Sequence, residues 1–91
     1  MTSDNDKPLI IQSDRSILLE TDGPAFEDAR DAIAPFAELV KSPEHIHTYR
    51  ITPLSLWNAA AAGMNAEEIL ERLYAYSKYE TPQNVVVDIR E

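Results

Sequence analysis

The 91-residue chain contains no cysteine, which excludes disulfides and thiolate zinc sites and fits a reducing, cytoplasmic setting. It has only two glycines, Gly23 and Gly63, far apart and without a following Gly-Lys-Ser/Thr, so no phosphate-cradling loop can be built. No apolar run approaches the roughly 20 residues of a membrane span. Bases are scarce: 8 Lys and Arg stand against 16 Asp and Glu, for a net charge of −8. Grip on nucleic acid rests on Lys and Arg neutralising phosphates, so that balance disfavours DNA as the main partner. The opening residues 1–7, MTSDNDK, are polar and acidic, unlike a secretory leader, and are expected to be a flexible tail.

What is present is enough for one folded domain over residues 8–91. Hydrophobic residues make up 44% of the chain, too many for a disordered segment. The most fully punctuated stretch is 52–79, which reads as two helices joined at a glycine corner. Thr52 suits an N-cap and Pro53 the first helical position, where a missing N–H is harmless. Gly63 supplies the left-handed residue that ends this helix. Asn65 caps the next one, with Glu68 three residues on as in a capping box. Ala66, Ile69, Leu73 and Tyr76 then form one apolar stripe. The alanines Ala59 to Ala62 would let another backbone come close, so the helix pair is expected to be the packing centre.

Elsewhere the pattern alternates between strand and helix. Leu9-Ile10-Ile11 and Ser16-Ile17-Leu18-Leu19 flank a polar turn and predict a β-hairpin. From Pro24 to about Val40, Phe26, Ala29, Ile33, Phe36, Ala37 and Val40 recur at helical spacing, which predicts one helix kinked at Pro35. The stretch 45–51, HIHTYRI, reads as a third strand. Thr81-Pro82 repeats the earlier Thr-Pro opening, so 83–91 is expected to be helical despite three consecutive valines. The chain stops where an element would still be running, as in a domain taken from a longer protein. The fold class expected is α+β: a small hairpin plus a third strand packed on a kinked helix and a helix pair, with a winged-helix-like second half.

Catalytic chemistry finds little support. His45 and His47 form an H-x-H pair with Glu44 beside it, but a zinc site needs further ligands that no cysteine can supply, and no metal is expected. Ser55 lies near His47 in sequence, yet a first-turn helix role explains it better than a nucleophile. The carboxylates are spread over helix surfaces, so none takes an acid or base assignment. No catalytic residue and no cofactor are expected. The exposed-aromatic candidates are Trp57, Tyr74 and Tyr79, which could anchor a protein partner or stack bases. Trp57, Arg50, Arg72 and Lys78 are the candidate interaction residues. A joint positive patch of the three bases would favour DNA.

The run His45-Ile46-His47-Thr48-Tyr49-Arg50-Ile51-Thr52, followed by Ser55-Leu56, Ala59 and Gly63, fits the pattern H-h-H-x-Y-[KR]-h-T-x-x-S-L-x-x-A-x-x-x-G, where h is aliphatic. It resembles the N-terminal domain of XPB-like DNA helicases, the translocases of transcription factor TFIIH, and is nearest their bacterial members. The segments 8–20 and 24–37, and Ile69, Leu73, Ser77-Lys78, Pro82 and Ile89, continue the resemblance over residues 8–91. It implies that the ATPase motifs lie in two RecA-like domains elsewhere in the parent chain. It also implies a non-catalytic accessory role, docked on the helicase motor domains or on a regulatory protein subunit. A DNA-binding module of the same helicase, or a free-standing acidic adaptor, is the alternative. No membrane role is implied.

Overall fold

In a computed structural model, residues 7–90 are described. They form a four-stranded antiparallel sheet with four helices. The expected tail lies outside the described residues except for Lys7, which is half-buried.

The hairpin is present as β1 (Leu9–Ile11) and β2 (Ser16–Glu20), paired Leu9 to Leu19 and Ile11 to Ile17. Its turn is held by Asp14, whose Oδ1 accepts from the Ser16 N–H at 3.0 Å and from the Ser16 hydroxyl at 2.5 Å. The hydroxyl first and the N–H second hold the Asp14 carboxyl below its usual range. Arg15 closes the turn in the left-handed region, at φ 74°.

Between β2 and the expected third strand the chain departs from the single kinked helix. Helix α1 (Phe26–Ile33) is short, and Pro24 lies in the turn before it. Ala34 still has helical dihedrals, φ −52° and ψ −38°. Pro35 has no N–H to offer the preceding turn, so the ladder ends there. The chain then turns through Phe36, whose N–H bonds the Ile33 carbonyl at 3.0 Å, and enters β3 (Glu38–Lys41). This fourth strand replaces the second half of the expected helix. Strand β4 (Ile46–Arg50) takes the place of the expected third strand and lies between β2 and β3, in the order β1-β2-β4-β3.

The register places Leu9, Ile11, Ile17, Leu19 and Tyr49 on one face, and all five are buried. Leu39 is paired with Tyr49 yet is 54% exposed, so the helical layer stops short of the β3 edge. The opposite edge, β1, is met by the loop after the third helix: the Lys78 N–H bonds the Leu9 carbonyl at 2.7 Å, and Ser77 bridges Leu9 in parallel.

Helix α2 (Pro53–Ala61) starts as the sequence predicts, with Pro53 first and Thr52 capping. Its capping box closes on Ser55: the Ser55 N–H donates to Thr52 Oγ1 at 3.0 Å, and the Thr52 N–H to Ser55 Oγ at 2.8 Å. Thr52 Oγ1 also donates to Glu38 Oε2 at 3.1 Å, tying the cap to β3. Replacing Thr52 with Ala removes both, and should lower stability by about 1–2 kcal/mol in urea titration. Gly63 takes φ 95° after the helix, as predicted. Helix α3 (Ala66–Tyr76) is capped by Asn65, which accepts the Glu68 N–H at 2.9 Å. The last segment is helical, α4 (Gln83–Arg90). After β4 the described elements are three helices, and the hairpin wing of a winged-helix arrangement is not among them.

The packing centre is α3 rather than the α2–α3 pair. Helix α3 buries Ile69, Leu70 and Leu73 and packs against both α1 and α4. Helix α2 buries only Ser55 and Ala59, and Ala60, Ala61 and Ala62 face solvent. Of the alanine run only Ala59 is packed into the core, and Ala60 to Ala62 are surface. No helix of the described residues is long and apolar enough to cross a membrane.

Candidate functional site

The two histidines do not converge. His45 Nδ1 lies 3.4 Å from Asp22 Oδ2 on an exposed loop, while the His47 ring packs edge-on against Phe26 at 5.5 Å between centroids. Among the described residues no group of three His, Cys, Asp or Glu is placed to hold a metal. The Ser55 hydroxyl is taken up by the cap, accepting the Thr52 N–H and donating to the Thr52 carbonyl at 3.0 Å. It is 3% exposed and is a structural group, not a nucleophile.

The three bases proposed from sequence lie on separate elements, and two of them are engaged within the fold. Arg72 Nη1 donates to the Ala32 carbonyl at 3.0 Å, satisfying one of the open carbonyls at the end of α1. Lys78 Nζ bonds Glu20 Oε1 at 2.6 Å, beside the end of β2. Arg50 stays exposed on β4, opposite Ser16 on one side and Glu38 on the other. The joint patch that DNA binding was expected to need is therefore not assembled. Trp57, by contrast, is 68% exposed on α2, and Leu54 one turn away is 59% exposed.

That surface follows from the sequence of α2. The stretch from Ile51 to Ala66 carries no charged residue, in a chain that is 26% charged. Helix α2 can bury only one narrow side, so its remaining apolar residues are left facing water. Large exposed apolar patches free of charge mark contact surfaces, and interface centres are depleted of charged residues and enriched in Trp. Beside Trp57 a groove of about 600 Å³ opens between α2, α3 and α4, walled by Leu56, Ala60 and Met64 and floored by Ile69 and Ile89. Its lining includes an ion pair, Arg15 Nε to Asp88 Oδ2 at 2.5 Å. Its lining is apolar except for Arg15, Thr52, Asn65 and Asp88.

Trp57 is among the interaction residues expected from sequence, but the groove is not, because Met64, Ile69 and Ile89 are brought beside one another and Trp57 only by the tertiary packing. The lack of charge between Ile51 and Ala66 was the signal that could have found it.

Comparison with known proteins bears on which helicase-related group this is. A family profile described as "helicase conserved C-terminal domain" matches residues 9–91. The chain is 60% identical over 84 residues, 92% of its length, to the DNA 3′-5′ helicase XPB of Mycobacterium tuberculosis. It is 55% identical over 86 residues, 94% of its length, to the protein of the same name from Kineococcus radiotolerans. Against the general transcription and DNA repair factor IIH helicase/translocase subunit XPB of Drosophila melanogaster the identity is 33% over 84 residues. The chain spans 15% of the length of each bacterial relative and 10% of the fly relative. The profile's description is of a C-terminal domain, which does not support the N-terminal placement that the resemblance implied. With the match covering nearly all of residues 8–91, this chain belongs to the helicase conserved C-terminal domain family and is an XPB-like helicase domain.

Proposed function

We propose that this chain is a non-catalytic docking domain of an XPB-type 3′-5′ DNA helicase acting in DNA repair or transcription, seated through the α2 face on the motor core of its own protein. The observation that carries this is the charge-free, solvent-facing surface of α2, with Trp57 68% exposed beside an apolar groove. ATP hydrolysis belongs to the parent protein, since the Gly-rich phosphate loop it requires cannot be formed from Gly23 and Gly63. The parent works in the cytoplasm, where a bacterial helicase meets DNA. A regulatory protein subunit is the second candidate for the α2 face, favoured by relatives whose names make them subunits of factor IIH. Whether the motor precedes or follows the domain is read directly from the parent gene, by finding the Walker A loop and the DEAH-like box on one side of residues 8–91.

The test is a binding titration of this chain against the isolated motor core, with and without DNA. Trp57→Ala should weaken binding about 30-fold, as for a buried aromatic anchor, while leaving the melting temperature unchanged. Equal binding by Trp57→Ala and the unaltered chain would remove α2 as the docking face. Binding only to a separate subunit would transfer the role to that partner.

A further inference from the structure

Strand β3 is an outer strand of the sheet, and among the described residues no strand pairs with its far side. Its four residues, Glu38-Leu39-Val40-Lys41, are all exposed, Leu39 at 54% and Val40 at 51%. A strand in that position offers backbone N–H and C=O groups to another strand. We propose that β3 pairs antiparallel with β3 of a second copy of this chain, joining the two sheets into one.

The residue order of β3 is complementary to itself. Run antiparallel about a two-fold axis between Leu39 and Val40, it sets Glu38 opposite Lys41 and Leu39 opposite Val40. Two opposite-charge pairs then flank two aliphatic pairs, all favourable across a ladder. The bulge in β3 makes that register possible. The Ile51 N–H and the His45 carbonyl turn toward β2, so by alternation Arg50 and Thr48 turn toward β3. Glu38 and Lys41 meet those two residues, and two residues rather than one lie between them. The outward side of β3 is therefore left to Leu39 and Val40 in succession, as an axis between them requires. A Lys on a sheet edge ordinarily discourages pairing. Here the matching acid three residues away turns it into selection for a strand of the same sequence.

The charged groups are available for this. The Lys41 ammonium has no ion-pair or hydrogen-bond partner among the described residues. Glu38 Oε2 accepts the Thr52 hydroxyl at 3.1 Å, which steadies the carboxylate and leaves Oε1 for a second donor. Leu39, paired with Tyr49, lies on the helix-bearing face where the helical layer stops, and a second copy would take its side chain out of water. Each chain carries a net charge of −8, so two copies repel at long range. At about 0.15 M salt that repulsion is screened beyond roughly 8 Å, and the short Glu38–Lys41 contacts act inside that distance. Four residues from each copy make a small contact, so the pair belongs to the weak, transient class.

Sedimentation velocity of the chain from about 10 μM to about 1 mM, in about 0.15 M salt, tests this. The mean mass should climb from that of one 10.2 kDa chain toward twice that value and go no further. Lys41→Glu should weaken pairing about tenfold or more, and so should Glu38→Lys, because each sets like charges opposite one another twice. Mixed together, the two variants should pair as well as the unaltered chain, since every Glu then meets a Lys. That rescue separates the contact from any loss of folding caused by removing Glu38 from the Thr52 cap. Trp57→Ala should leave pairing unchanged, because the α2 face takes no part in it. A chain that stays single at the highest concentration would overturn the assignment. So would Lys41→Glu pairing like the unaltered chain, a mixture of the two variants that fails to pair, or a loss of pairing with Trp57→Ala.

Discussion

Phe36→Ala should cost about 3–5 kcal/mol and lower the urea midpoint markedly. Phe36 is 0% exposed and heads the fully buried side chains by volume. It stands where α1 has ended and β3 has not begun, so both elements are fixed by the space it fills. Truncating it removes the apolar area of the ring and leaves a cavity that cannot close without moving the α1–β3 turn. A domain of this size has a total stability of about 5–15 kcal/mol, so a loss of that size is a large share of it. Urea unfolding followed by far-UV circular dichroism reads the effect. A loss below about 1 kcal/mol would mean that the turn relaxes freely and that Phe36 does not lock it.

Leu73→Ala should cost about 2–5 kcal/mol, whereas Leu54→Ala should change stability by less than about 0.5 kcal/mol. The two leucines lie on the adjacent helices that the sequence groups as one unit. Leu73 is 0% exposed on α3, where that helix meets α1 and α4. Leu54 is 59% exposed on α2. Denaturant midpoints of the two variants, measured side by side, decide which helix organises the core. Similar losses at both sites would restore the helix pair as the centre and would undercut the docking face as well.

Much of this fold was legible from residue order. The hairpin, the Thr52-Pro53 start, the turn at Gly63, the Asn65 cap and the helical reading of the last segment all rest on short-range chemistry, in which one residue type has one dominant local role. What failed depended on distant partners. Ile33, Phe36, Ala37 and Val40 keep helical spacing by coincidence, and four residues of β3 are too few for strand alternation to show. Only pairing with β4, which nothing local specifies, makes 38–41 a strand. The alanines of α2 suggest a seam because small residues permit close approach, but only Ala59 has neighbours packed on it, and Ala60 to Ala62 face solvent. For the candidate site, Trp57 was identifiable as a large apolar residue in a charge-free run.

The sheet's two margins are unlike. β1 is stitched to the 77–78 loop through Leu9, while among the described residues no strand pairs with the outer side of β3, and Leu39 and Val40 are each about half open to solvent. A template with one blocked border grows in a single direction. Two such molecules joined bare side to bare side present only stitched sides outward, so sheet-to-sheet association ends at a pair and has no route to a filament.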